Sequence, residues 1–236
     1  MQLPGLGNGL GLVRTWNSIL PPNLVTFQVG LFGPNWRSSY EERVFLDSDG
    51  YMKYLRGDGG LWVFSANGSN WKLGAPGNLV GTLSQGSTYW TLTFQNGEQR
   101  LFSVASGSLT SILDRNGNTT QLSYDGSNRL ITVTDPASRH LYFTYGSSSS
   151  RLVTGVSSDV GLSLTYSYDA QNRLSQVTRP DLSTLTFTYN AQSLITAVTD
   201  SNGKIFESHT YDSSGRGLTS SRAGGVDTVT ITYPTQ

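Results

Sequence analysis

The sequence predicts an all-β fold made of consecutive antiparallel β-hairpins forming a spiral sheet or partial shell. Three observations carry that prediction: a repeat near 22 residues, strict apolar–polar alternation before each repeating tyrosine, and turn formers at fixed offsets after it. Tyrosines 124, 145, 168, 189, 211 and 233 are spaced 21, 23, 21, 22 and 22 residues apart. Leu109, Leu130, Leu152, Leu174, Leu194 and Leu218 keep a similar beat, so about six units run from Ser106 to the end.

The strand before each tyrosine comes first in the argument. Thr120, Leu122 and Tyr124 share one parity, as do Leu141, Phe143 and Tyr145, then Leu162, Leu164, Tyr166 and Tyr168. Leu185, Phe187 and Tyr189 repeat the pattern, and Val229, Ile231 and Tyr233 close it. The opposite parity is mostly Ser and Thr, which is the mark of a half-buried strand. The strand that opens each unit alternates less cleanly. Leu130 and Val133 are three apart, as are Leu174 and Val177, and a bulge after the leucine would put both on one face.

The connections follow. "YDGSNRL", "YDAQNRL" and "YDSSGRGL" place Tyr124-Asp125, Tyr168-Asp169 and Tyr211-Asp212 ahead of Asn128, Asn172 and Gly215. The aspartate carboxylate can cap a type I turn, and Asn or Gly tolerates the left-handed conformation that closes such a hairpin. "LDRNGNT", "TDPASRH" and "TDSNGKI" supply the alternate connection in the same chemistry. The recurring aspartates are therefore read as turn residues. Residues 1–105 form a hairpin lead-in of about eight strands, continuous with six repeats over 106–236 as one β unit.

Composition narrows the functional classes. Sixteen Lys+Arg balance sixteen Asp+Glu, so no global field favours nucleic acid or an anionic membrane surface. The chain has no cysteine, which removes disulfide and thiolate chemistry. No apolar run approaches the length of a membrane-spanning helix. The first ten residues, "MQLPGLGNGL", lack the basic and apolar regions of a signal peptide.

These repeats resemble YD repeats, the Tyr-Asp repeats of the Rhs proteins, teneurins and insecticidal toxin-complex proteins. "NRLITVTDPASRHLYFTY" and "SLTSILDRNGNTTQLSYDGSNRL" follow the family order of Leu-strand, Asp turn and Tyr-x-Tyr-Asp. "LGLVRTWNS" (residues 10–18), "FGPNW" (residues 32–36) and "DSDGYMKYLRGDGGLWVF" are similar to the lead-in of bacterial repeat arrays. Departures occur at Tyr145-Gly146, Tyr189-Asn190 and Tyr233-Pro234, and the family's shell-closing Asp-Pro-x-Gly-Leu region has no counterpart. The resemblance implies a spiral-sheet scaffold of the bacterial extracellular or cell-surface kind. It carries over neither self-cleavage nor a toxin activity.

Other candidate sites weigh less. "GLGNGLG" (residues 5–11) fits no phosphate-loop spacing. "DSDG" (residues 47–50) begins like a calcium loop but lacks its closing glutamate, so a turn is expected. "RGD" (residues 56–58) falls where strand, turn and strand already account for it. Glu207 and His209 share the strand parity of Ile205 and Tyr211 and are the weak candidates for acid–base or metal chemistry. Glu41, Glu42 and Arg43 read as a solvated strand start. Trp16, Trp36, Trp62, Trp71 and Trp90 all lie in the first half, where core packing competes with sugar stacking.

An open array has two sheet edges, and exposed edges pair with other chains unless blocked. Only Lys53, Lys72 and Lys204 are available to blunt them. The functional expectation is a non-enzymatic structural scaffold, encapsulating a polypeptide cargo or self-associating edge to edge, head to tail, into an oligomer or fibre. Carbohydrate or cell-surface binding through the Trp-rich half is the alternative. No cofactor, metal or nucleic-acid partner is expected.

Overall fold

The repeating elements are strands because turns fall about every ten residues, leaving short alternating runs whose backbone groups pair with the antiparallel neighbours. A computed structural model describes residues 1–3, 9–19, 27, 29–222 and 225–234. The segment "GLGNGLG" lies mostly outside the described residues. Among them there is no α-helix, and no helix is long and apolar enough to cross a membrane.

The lead-in holds six short strands: β1 (Gln2–Leu3), β2 (Leu10–Gly11), β3 (Arg14–Trp16), β4 (Val29–Gly30), β5 (Gly33–Pro34) and β6 (Trp36–Ser38). Seven more precede the repeats: β7 (Arg43–Leu46), β8 (Met52–Leu55), β9 (Leu61–Asn67), β10 (Asn70–Ala75), β11 (Gly81–Gln85), β12 (Tyr89–Phe94) and β13 (Gln99–Ser103). The repeats supply β14 (Leu109–Leu113), β15 (Thr119–Tyr124), β16 (Leu130–Thr134), β17 (His140–Tyr145), β18 (Val153–Ser158) and β19 (Ser163–Tyr168). They continue as β20 (Leu174–Thr178), β21 (Thr184–Tyr189), β22 (Ile195–Asp200), β23 (Ile205–Tyr211), β24 (Gly217–Arg222) and β25 (Val226–Thr230). These are twelve strands among the described residues. The region before them has thirteen strands rather than about eight, because the lead-in is broken into two- and three-residue pieces too short to leave a period in the sequence.

From β7 to β25 the strands form a 19-strand antiparallel sheet in chain order, and no register joins β25 to β7 among the described residues, so it is not a closed barrel. The bulges fall where the three-residue spacing placed them. Tyr124 pairs with Leu130 while Ser123 pairs with Thr132, and Tyr168 pairs with Leu174 while Ser167 pairs with Gln176. Each bulge turns both apolar residues inward: Leu130, Val133, Leu174 and Val177 are all buried. The leucine beat needs correction in three units, one of them with Gly217 in the place expected of Leu218. Val153 and Ile195, one residue after Leu152 and Leu194, take the position that Leu130 and Leu174 hold.

The chain divides into two units, the first comprising Met1–Thr15, Arg37–Phe143 and Ser158–Val160, the second Trp16–Trp36, Thr144–Ser157 and Gly161–Gln236. The core of the first is aromatic. Tyr54 meets Trp62, Phe102 and Phe94 edge-on at centroid distances of 5.6, 5.8 and 6.3 Å. Phe64, Leu83, Leu92, Phe102 and Leu109 are wholly buried, each stabilising the unit by about 2 kcal/mol on area grounds. The second unit is filled by the lead-in. Phe32 packs on Tyr166 at 4.8 Å, Trp36 on Phe187 at 5.2 Å and Trp16 on Tyr211 at 6.2 Å, one aromatic for each successive hairpin. The Trp36 indole N–H also donates to the Tyr189 hydroxyl at 3.4 Å. The parity pattern breaks at the end of the array, where Val229, Ile231 and Tyr233 are exposed.

Candidate functional site

The residues that repeat are the natural place to look for chemistry, and their geometry is almost the same in each unit. In the first Tyr-Asp turn, Asn128 N–H donates to the Asp125 carbonyl at 2.9 Å and Asp125 N–H donates to the Arg129 carbonyl at 3.0 Å. Asn128 takes φ 58° and Asn172 φ 59°, with Gly215 at φ 79°. That is a type I turn closed by a left-handed residue, as expected. Ser138, Ser193 and Leu182 hold the same conformation in other turns, which the sequence did not signal because none of them is a habitual left-handed residue.

The aspartate carboxylate is fully engaged. Asp125 Oδ1 accepts from Ser127 N–H and Arg129 N–H at 2.9 Å each, while Oδ2 accepts from the Arg129 guanidinium at 2.6 and 2.7 Å. Asp169 with Arg173 and Asp212 with Arg216 repeat this arrangement, and Asp135 with Arg139 does so in the alternate turn. Hydrogen bonds from Arg129, backbone and side chain, hold the Asp125 carboxyl below the usual carboxylate range. At Asp169 and Asp212 burial pushes upward, and the matching bonds from Arg173 and Arg216 outweigh it, so both also sit low. Asn190 replaces the aspartate in one unit and keeps the turn, its Oδ1 accepting from Gln192 and Leu194 N–H.

The tyrosine ties each unit back on itself. Tyr124 donates to the Leu109 carbonyl at 2.6 Å, Tyr168 to Val153 at 2.6 Å, Tyr189 to Leu174 at 2.8 Å, Tyr211 to Ile195 at 2.7 Å and Tyr233 to Gly217 at 3.0 Å. The acceptor lies on the strand immediately before the tyrosine's own, and at Leu109, Leu174, Ile195 and Gly217 it sits at a bulge. Burial pushes the Tyr211 hydroxyl up to about 12. The arginine completes a chain between units: the Arg173 guanidinium lies 4.6 Å from the Tyr189 ring centre, and Arg216 lies 4.3 Å from that of Tyr233. The spacing Asp-x-x-x-Arg was present in the quoted turns and could have signalled this.

The weaker candidates resolve into ordinary pairings. His209 Nε2 and Glu207 Oε2 are 3.7 Å apart, and Glu207 Oε1 is 3.9 Å from Arg222, its cross-strand partner. Among the described residues no group of three or more potential metal ligands gathers. In "DSDG" the Lys53 ammonium bonds the Asp49 carboxylate and lies 3.9 Å from Asp47. In "RGD" Arg56 pairs with Asp58 at 2.9 Å, and Gly57 is pressed so close to Ser38 that a Cβ would lie 2.7 Å from its carbonyl oxygen. Trp36 and Trp62 are core residues, leaving Trp16, Trp71 and Trp90 half-buried.

Two polar clusters were not foreseen. Glu42 is not solvated: it accepts the Tyr54 hydroxyl at 2.7 Å and lies 3.4 Å from Arg100. Burial pushes its carboxyl up, against the pull of Arg100 and Tyr54. It lines a cavity of about 430 Å³ with Leu12, Tyr40 and Arg100. Strand pairing over 58 residues brings Arg100 to Glu42, a contact invisible to local periodicity. On the surface, Asp159 accepts from the His140 backbone at 2.6 Å, meets its imidazole Nδ1 at 2.8 Å and accepts the Tyr142 hydroxyl at 2.9 Å. His140 holds Asp159 low, and Asp159 raises Tyr142.

The RHS Repeat family model matches residues 105–140 and 151–184, and a domain of unknown function, DUF6531, matches residues 1–64. Comparison with curated proteins gives no match. Among solved structures, TcdB2-TccC3 without its hypervariable C-terminal region is 15% identical over 78% of this chain, with a TM-score of 0.41. The Photorhabdus luminescens Tc holotoxin pore is 14% identical over 78% of this chain, with a TM-score of 0.37. The chain covers 13% of the length of each of these structures.

Proposed function

Because the chain is a YD/Rhs-repeat protein, we propose that it is a non-enzymatic scaffold, a stretch of hairpin wall from a secreted or cell-surface bacterial protein. In this reading the wall encloses a polypeptide cargo or joins other walls through its sheet edges. The observation that carries the reading is where the repeated polar groups are spent. Asp125, Asp169 and Asp212 each bond their own turn and an arginine, and the hydroxyls of Tyr124, Tyr168, Tyr189, Tyr211 and Tyr233 each bond a backbone carbonyl. A catalyst repeated along the chain would leave at least one reactive atom open to solvent; a building unit would not.

Hydrogen exchange tests the proposal. Asp169→Ala is expected to speed amide exchange in the β19–β20 hairpin and in the neighbouring β21, with the rest unchanged. Exchange unaltered by that substitution would overturn the scaffold role of the signature.

A further inference from the structure

Five Asn-Gly pairs lie along the chain, at residues 8–9, 67–68, 96–97, 116–117 and 202–203. In such a pair a side-chain amide stands next to a backbone nitrogen that no following side chain shields. That nitrogen can attack the asparagine Cγ, so each pair carries the reactants for a change to its own backbone. Asn8 lies outside the described residues. Asn67, Asn96, Asn116 and Asn202 are all exposed, so access to water does not separate them.

What separates them is the glycine N–H. Gly97 donates to the Phe94 carbonyl at 3.0 Å, Gly117 to the Asp114 carbonyl at 3.1 Å and Gly203 to the Asp200 carbonyl at 3.1 Å. In these three turns the attacking nitrogen is already engaged, and the turn must open before it can react. The β9–β10 hairpin is built otherwise. Asn67 pairs with Asn70, leaving Gly68 and Ser69 as a two-residue loop, and Gly68 takes φ 62°, as the first central residue of such a loop requires. Among the described residues the Gly68 N–H meets no acceptor, and the Asn67 side chain makes no hydrogen bond. The Asn96 side chain, by contrast, is held through its Oδ1, which accepts from Glu98 N–H at 3.1 Å. Nothing lies within 4 Å of where a Gly68 Cβ would sit, so the peptide can turn without collision.

We infer that Asn67-Gly68 is a self-modification site, at which the folded chain deamidates while its other described Asn-Gly pairs are protected by their turns. Loss of the Gly68 amide proton to solvent hydroxide frees the nitrogen to attack Asn67 Cγ. A C–N bond forms, the Cγ–Nδ2 bond breaks, and Nδ2 takes a proton from water and leaves as ammonia. The cyclic succinimide that results is opened by water at either carbonyl, giving aspartate or isoaspartate with no change of oxidation state. Both products put a carboxylate on the loop. Isoaspartate also routes the main chain through the former side chain, adding a methylene to a loop whose length fixes the Asn67↔Asn70 and Trp71↔Ala66 register. The site stands apart from the scaffold reading and does not depend on it.

The test follows the intact chain by peptide mass mapping during incubation at mildly alkaline pH, once folded and once in urea. In the folded chain the Asn67 peptide is expected to deamidate about tenfold faster than those of Asn96, Asn116 and Asn202, each of which must first give up a turn hydrogen bond. Its rate should rise with pH, because the attacking nitrogen is the deprotonated one. In urea the four rates should converge, since every one of these asparagines precedes glycine and the turns are gone. An Asn67 that deamidates no faster than the other three in the folded chain, or a gap that persists undiminished in urea, would overturn the inference.

Discussion

The hairpin strand ending at Tyr168 and the one ending at Tyr233 share the closing tyrosine and live in different surroundings. Tyr168 donates to the Val153 carbonyl and Tyr233 to the Gly217 carbonyl. Yet the Tyr168 strand packs Tyr166 against the wholly buried Phe32, while the Tyr233 strand leaves Val229 and Ile231 exposed. The comparison teaches that the repeat specifies a hairpin and not a core. The core of these hairpins is completed by lead-in aromatics that arrive from more than a hundred residues away.

The strongest way to break that contrast is to remove the filler. Phe32→Ala should destabilise the second unit by about 4 kcal/mol, read by urea unfolding, through lost burial and the cavity left behind. Gly33→Ala comes next. Gly33 has φ 97°, and a Cβ would lie 2.7 Å from the Asn172 carbonyl oxygen, so the lead-in could no longer rest on the Tyr168–Arg173 turn. A loss of about 2–3 kcal/mol is expected from backbone strain and displacement.

Acid sharpens the comparison at the turns. Asp125, Asp169 and Asp212 have depressed folded-state pKa values. Their stabilisation is complete above the ordinary aspartate value of about 3.9 and is lost as pH falls through the folded-state values. The melting temperature should therefore drop steeply below about pH 4. Asp169→Asn should shallow that drop while keeping the turn, as Asn190 does naturally.

Much of the fold was legible because its determinants are local. Tyr124, Asp125 and Asn128 sit within five residues of one another, and the Leu130/Val133 spacing encodes its own bulge. What stayed hidden depends on distant pairing. Glu42 read as solvated because nothing near it in sequence announces Tyr54 and Arg100. The aromatics Trp16, Phe32 and Trp36 could be called core, but not assigned to successive hairpins. The close approach of Gly107 to the Val44 carbonyl oxygen likewise depends on distant pairing. The arginine of the turn was in plain view, and its reach to the next tyrosine appears only when strands are laid side by side.

The central claim is that the signature holds the wall together, most strongly where the lead-in buries it. Unfolding free energies of Tyr168→Phe and Tyr233→Phe test it most directly, since each change deletes one hydroxyl and nothing else. The account predicts a loss of about 1 kcal/mol at Tyr168, whose bond is 2.6 Å and shielded, and only a few tenths at the exposed Tyr233. Equal losses at both positions, or none at Tyr168, would contradict it.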